Sequence, residues 1–226
     1  MKFLDFYFDF ISPFAYLAST KIDDIAQRHG YAVNWIPFRL GVTVTKVMGI
    51  KPLLDTPLKG AYLQRDIQRL ALSFSIPLCS DLQIFNPLPA QRLFHGVSGT
   101  SKEMAGMVAK KLLEARWAQG RRLDEIDSLV EIAGEWGGGR DVVEQALAAP
   151  ATKEATTHMT QKAIDAGVFG SPTCVVDGEL FWGVDRLWLL DSFLANAGSY
   201  KPLEMERLVA LGLSSDEGAE RSFQGG

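Results

Sequence analysis

Phe169-Gly-Ser-Pro-Thr-Cys-Val-Val-Asp-Gly-Glu-Leu-Phe-Trp-Gly-Val-Asp185 decides how this chain folds. Thr173 to Val176 is a short strand-forming run, and Asp177-Gly178 is a two-residue hairpin signal. Glu179 to Trp182 is the returning strand. Asp185 then opens a helical run, Arg186 to Asn196, closed by Gly198. Ser171-Pro172 stands immediately before the first strand, and a residue before Pro is held extended. The spacing predicts a tight X-Pro bend with a cis bond. The unpaired backbone beside it is a platform for an extended ligand, and it needs a partner from elsewhere in the chain.

That partner lies at the N-terminus. Phe3 to Phe10 reads as a strand, with Asp5 and Asp9 on one alternating face. Ser12-Pro13 is a strong helix start, with Ser as N-cap and Pro in the first turn. The helix runs through Tyr16, Leu17, Ile22 and Ile25 to Gly30, and Tyr31 to Phe38 follows as a second, parallel strand. From Val44 to Ala166 the periodicity is helical, with no strand. Pro57 to Phe74 carries Leu63, Ile67, Leu70 and Ala71 at helical spacing, and Thr100 with Glu103 forms a capping box. Glu125 to Trp136 is a further helix. Asp141 caps the next, and Thr152 caps one that runs to Gly167. The order is βαβ, a helical block, then ββα. This is an α/β chain with a thioredoxin-like mixed sheet, residues 1–43 and 167–226, split by a helical insertion at 44–166.

Composition narrows the partners. The 226 residues carry a net charge of −4 with both signs interspersed, so no basic stripe points to nucleic acid or a membrane surface. The cysteines, Cys79 and Cys174, make neither a disulfide framework nor a zinc motif, which fits a reducing, cytoplasmic setting. His29, His95 and His158 are isolated, so no metal is expected. Asp5 and Asp9 interrupt the N-terminal apolar run, which therefore does not read as a signal peptide.

In a thioredoxin-like sheet, the first helix start faces the X-Pro bend, which puts Ser12 beside Ser171 and Pro172. Redox enzymes of this fold carry C-x-x-C there; this chain has Ser12-Pro13-Phe14-Ala15 and cannot cycle a disulfide at that place. A Ser hydroxyl at a helix N-terminus can instead donate to a bound thiolate, with the helix dipole adding to the effect. The thiol then comes from a cofactor, and glutathione is the obvious choice. Its peptide portion can pair with the backbone at Ser171, and Asp185 can take its ammonium group.

The stretch Phe6-Tyr-Phe-Asp-Phe-Ile-Ser-Pro-Phe-Ala-Tyr-Leu17 resembles the N-terminal motif of the 2-hydroxychromene-2-carboxylate isomerases, which belong with the DsbA-like thioredoxin proteins and the kappa-class glutathione transferases. Ile76-Pro77-Leu78, Phe85-Asn86 followed by Arg92, and Phe169-Gly-x-Pro-Thr with Phe181-Trp-Gly-x-Asp-Arg186 match in the same order, from about Phe3 to Leu194. The resemblance implies glutathione-dependent cis–trans isomerisation of an aromatic pyruvate derivative in aromatic-compound catabolism, by a homodimer. It implies that Ser12 activates the glutathione sulfur. It also implies glutathione contacts at Ser171, Pro172, Trp182, Gly183, Val184 and Asp185, with Lys46, Phe85 and Asn86 facing the substrate. Leu53-Leu54 is apolar where it implies polar residues.

Simpler roles stand beside these. Ser12 alone is a helix cap, Asp185 an N-cap, Trp182 core, Lys46 a solvated lysine, Asn86 turn chemistry and Cys174 a small core hydrophobe. Two classes of function follow. One is an enzyme that uses bound glutathione, with conjugation to an electrophile or peroxide reduction as variants. The other is a non-catalytic thioredoxin-like protein holding a peptide at the X-Pro bend. Ser at the helix start together with Asp in Trp-Gly-Val-Asp favours the enzyme.

Overall fold

The computed structural model describes residues 1–99, 101–201, 204 and 209–211. Four strands form one mixed sheet: β1 (Lys2–Phe8), β2 (Tyr31–Pro37), β3 (Thr173–Val176) and β4 (Glu179–Trp182), in the order β2-β1-β3-β4. β1 and β2 are parallel because helices carry the chain between them. β3 runs antiparallel to β1 and pairs with β4 as a hairpin. The hairpin turn places Asp177 at φ 51 and Gly178 at φ 85, the two positive values that a tight hairpin turn needs. The thioredoxin-like sheet expected from the sequence is present.

Alternation along β1 divides its side chains between two cores. Leu4, Phe6 and Phe8 enter the larger one, where Phe6 meets the Trp35 ring edge-on at 5.0 Å. Tyr7 points the other way and packs with Ile36, Phe38, Ala163 and Val168.

The first helical run is broken where a single helix is expected. α1 (Pro13–Ser19) and α2 (Ile22–Arg28) are separate. Ser19 Oγ donates to the Tyr16 carbonyl and Thr20 Oγ1 to the Leu17 carbonyl. Side chains of this kind compete with the backbone ladder, and here they mark its interruption.

Between residues 44 and 166 the described residues form helices and loops and no strand. The helices are α3 (Lys59–Ser73), α4 (Leu88–Ser98), α5 (Lys102–Trp117), α6 (Ile126–Gly134), α7 (Arg140–Ala148) and α8 (Pro150–Asp165). Several ends differ from expectation. Ser101 caps α5, its Oγ accepting from Met104 N at 3.2 Å; Thr100 lies outside the described residues. Gly139 precedes α7, with Asp141 inside its first turn. α8 starts at Pro150, whose fixed φ suits a first helical position, and Thr152 is already inside the helix, donating to the Ala146 and Ala149 carbonyls. Most of the apolar run from Leu203 to Leu213 also lies outside the described residues.

These helices share one core with the sheet. Trp117, fully buried at the end of α5, donates from Nε1 to the Phe10 carbonyl at 2.8 Å, two residues before Ser12. α9 (Leu187–Ala195) follows the hairpin and packs back on the fold. Asp185 does not cap it. Gly183, at φ 99, admits a one-turn 3-10 segment, Val184–Arg186, which puts Asp185 before the helix proper. No helix among the described residues is long and apolar enough to cross a membrane.

Candidate active site

β1 ends at Phe8, and the next residues turn the chain toward α1. Ser12 N–H donates to the Asp9 carbonyl at 3.0 Å, and Ser12 is the N-cap of α1 with only 5% of its surface exposed. Its Oγ accepts from Ala15 N at 3.2 Å and donates to the Ser171 carbonyl at 2.9 Å. A second bond joins the same two segments: Asp9 N–H donates to Ser171 Oγ at 2.9 Å. The helix start and the X-Pro bend are therefore strapped together twice, and the Ser171–Pro172 bond is cis.

The bend is fixed from its other side by the hairpin. Pro172 is buried, and its carbonyl accepts from Gly183 N at 2.9 Å. Trp182 does not join the core. It is 45% exposed and meets Phe169 edge-on at 5.0 Å. A Cβ at Gly170 would overlap the Trp182 indole, so the close approach of ring to backbone requires glycine. Val184 is buried, whereas Asp185 is exposed and pairs with Arg186 Nη1 at 2.8 Å.

Ser12, Ser171 and Trp182 open onto a cavity of about 420 Å³. Pro13, Phe14, Phe169 and Gly170 complete its polar end. Its far wall is built from the helical block: Val44, Met48, Ile50, Leu53 and Leu54 on one side, Leu63 and Ile67 of α3 on another, and Leu82 with Ile84 on a third. The wall holds Leu53-Leu54 close to α3 because Gly60 carries no side chain; a Cβ there would overlap the Leu54 carbonyl. Lys46, Phe85 and Asn86 do not line this cavity. Lys46 is exposed on a π-helical turn, Thr43–Val47. Phe85 is buried against Trp117, with their ring centroids 6.4 Å apart, and the Arg116 guanidinium lies over it. Asn86 Oδ1 accepts from Leu88 N at 3.2 Å, as a turn residue does.

One participant escaped the sequence reading as part of the site. Asp9 is fully buried directly behind the cavity wall. Its carboxylate accepts from Leu40 N at 2.8 Å, from Ile11 N at 3.3 Å and from Gln91 Nε2 at 3.2 Å, and both Leu40 and Ile11 line the cavity. Burial pushes its pKa up to about 7, against the pull of those three donors and of Arg39. The signal was an acid set among Phe8, Phe10 and Ile11, where a carboxylate is unlikely to be solvated and must find donors.

The site has no protein thiol. Cys174 is buried in β3, and burial pushes its thiol well above the ordinary range. Cys79 donates its S–H to the carbonyls of Asp81 and Arg116 on the far side of the Trp117 contact. Among the described residues, no group of three or more His, Cys, Asp or Glu side chains could hold a metal. The corner can hold an extended ligand against Ser171 and present a hydroxyl to an atom at the cavity mouth.

Residues 3–195 match the family model of the DSBA-like thioredoxin domain. The chain is 33% identical over 191 residues to a 2-hydroxychromene-2-carboxylate isomerase of Pseudomonas putida, covering 84% of this chain and 92% of that protein. It is 26% identical over 205 residues to a glutathione S-transferase kappa 1 of Caenorhabditis elegans, covering 84% of this chain and 90% of that one. A solved structure of a 2-hydroxychromene-2-carboxylate isomerase superimposes with a TM-score of 0.78 at 28% identity, over 94% of this chain and all of that one.

Proposed function

This chain belongs to the 2-hydroxychromene-2-carboxylate isomerase family of DSBA-like thioredoxin domains, and from that premise we propose that it is a glutathione-dependent cis–trans isomerase of an aryl-conjugated carbonyl compound. One observation carries the reading. A hydroxyl, and no thiol, stands at the start of α1, 2.9 Å from the Ser171 carbonyl and at the polar end of an apolar cavity. Glutathione held there would supply a thiolate for reversible addition to a conjugated carbon, a chemistry that permits rotation about the former double bond and oxidises or reduces nothing.

The chain's own residues do the rest. Ser12 Oγ, which now donates to the Ser171 carbonyl, would turn its proton to a bound sulfur and hold it as thiolate by a charge-assisted bond. That turn frees the Ser171 carbonyl for an amide N–H of the extended tripeptide. Asp9 N–H keeps Ser171 Oγ in place meanwhile, so the bend does not drift when Ser12 lets go. Trp182 and Phe169, in edge-on contact, would shield the sulfur from water, and the exposed Asp185, now paired with Arg186, would take the ligand's ammonium group.

The test is turnover of cis-benzylidenepyruvate and cis-benzylideneacetone by the purified chain, with and without glutathione. The expected result is isomerisation of at least one compound that needs glutathione and leaves its concentration unchanged. The likeness to the kappa transferase favours a second reading, conjugation, in which glutathione is consumed mole for mole with product. Turnover indifferent to glutathione would remove the borrowed nucleophile altogether.

A further inference from the structure

We infer that the cavity takes its aromatic substrate in an uncharged form, as a neutral aryl-conjugated carbonyl compound and not as a carboxylate. The inference rests on the isomerase reading above and fixes the charge class of its substrate. Among the described residues, no charged side chain lines the cavity. Its polar side chains are Ser12, Ser171 and Gln64; the first two belong to the thiol end, and Gln64 is exposed. An anion brought past them would lose its water and meet only hydrocarbon, and an unpaired buried charge is the most costly group a protein can accommodate.

The surroundings argue the same way. The ionisable side chains that hold the wall's backbone do not line it: Asp9 accepts from Leu40 N and Ile11 N, and the buried Arg116 donates from Nη2 to the Gln83 carbonyl between Leu82 and Ile84. The cations adjacent in sequence to lining residues, Arg39, Lys51 and Arg65, do not line the cavity, and neither does the exposed Lys46. Around the mouth, Met48, Ile50, Leu53, Ile84, Phe169 and Trp182 are each at least 40% exposed. A cluster of exposed apolar side chains around one opening marks a surface that an apolar ligand covers.

The two probes named above differ at one place, a methyl group in benzylideneacetone and a carboxylate in benzylidenepyruvate. Binding of the trans form of each to the glutathione-loaded full chain is measured by calorimetry. Isomerisation of each cis form is measured as the acceleration over free glutathione alone. The ketone is expected to bind about tenfold more tightly or better, and to be accelerated by a similarly larger factor. Gln64→Lys should then raise the acid's affinity by supplying the missing cation. Tighter ketone binding without turnover of either compound supports the cavity's charge class and removes the isomerase reading alone. Equal or tighter binding of the acid overturns the inference, and loss of that preference in Lys46→Ala or Lys51→Ala would assign it to a cation at the rim. An acid affinity unmoved by Gln64→Lys overturns it as well, because the acid then binds outside this cavity.

Discussion

The two ends of the cavity are built on different physics. The corner at Ser12 and Ser171 is held by directed bonds: a capped helix, two hydrogen bonds across the gap, and a proline bend tied to the hairpin by Gly183 N. The far wall, from Val44 to Ile84, turns apolar side chains to the cavity; its hydrogen bonds, such as Ile50 N to the Val44 carbonyl, Thr56 Oγ1 to the Pro52 carbonyl and Arg116 Nη2 to the Gln83 carbonyl, hold the backbone behind them. Directed bonds demand particular residues at particular places. Packing demands volume, and many residues supply it. The corner can therefore stay constant while the wall changes.

The largest expected effect comes from cutting the corner. Ser12→Ala removes a charge-assisted bond worth about 1.5–3 kcal/mol, which should raise the pKa of bound glutathione by about one to two units. Turnover at neutral pH should fall by about ten- to a hundredfold. Stability should fall by only about 1 kcal/mol, through the lost cap. Thiolate absorbance against pH reads the shift directly. Identical titrations in wild type and variant, with unchanged turnover, would reduce Ser12 to a helix cap.

Gly60→Ala strikes the wall instead. The new methyl overlaps the Leu54 carbonyl and pushes the Leu53–Asp55 turn off α3, at a cost of about 1–3 kcal/mol in stability. KM for an apolar substrate should change, while the glutathione titration should not. A shifted titration in this variant would show that wall and corner are mechanically one.

Asp9 joins the two, and its ionisation gives a smaller effect with a definite sign. The folded-state pKa is raised, from the ordinary value of 3.8 to about 7. Below about pH 4 the carboxyl is protonated in folded and unfolded chains alike, and its full contribution to stability is present. As pH rises toward 7 the unfolded chain releases its proton first, so that contribution is lost. Denaturant titrations should show wild type gaining stability relative to Asp9→Asn as pH falls from about 7 to about 4. The opposite slope would mean that the three donors outweigh burial.

The smallest effect belongs to Cys174→Ala. The thiol is buried away from the cavity, so glutathione-dependent turnover of the folded variant should match wild type. A clear loss would bring protein sulfur back into the chemistry and dissolve the distinction between a borrowed and a resident thiol.

The same division explains what the sequence made legible. Ser12-Pro13, Ser171-Pro172 and Asp177-Gly178 are local devices, and each adopts the geometry its residue types require. The substrate side was not legible. Phe85 and Ile84 are neighbours with similar chemistry, yet Phe85 turns inward to Trp117 while Ile84 lines the cavity. That choice depends on a helix some thirty residues further on, which no local pattern encodes. Trp182 read both as a ligand contact and as core, and the bare backbone at Gly170 gives it a seat at the surface. Asp185 was displaced from the cap by the turn that Gly183 permits. Lys46 matched a family position, but the fold leaves it in solvent.

The strand order has a consequence for how the chain is made. β1 leaves the ribosome long before its antiparallel neighbour β3, which begins at Thr173, after the whole helical block. Until then one edge of β1 stays open, flanked by Phe6 and Phe8, and an open apolar edge is a template for pairing with another chain. The helices made in the interval can shelter that edge but cannot hydrogen-bond it. Translation completes the sheet and the thiol corner together, so a chain released before Ser171 lacks both and is expected to aggregate rather than persist as an inactive folded fragment.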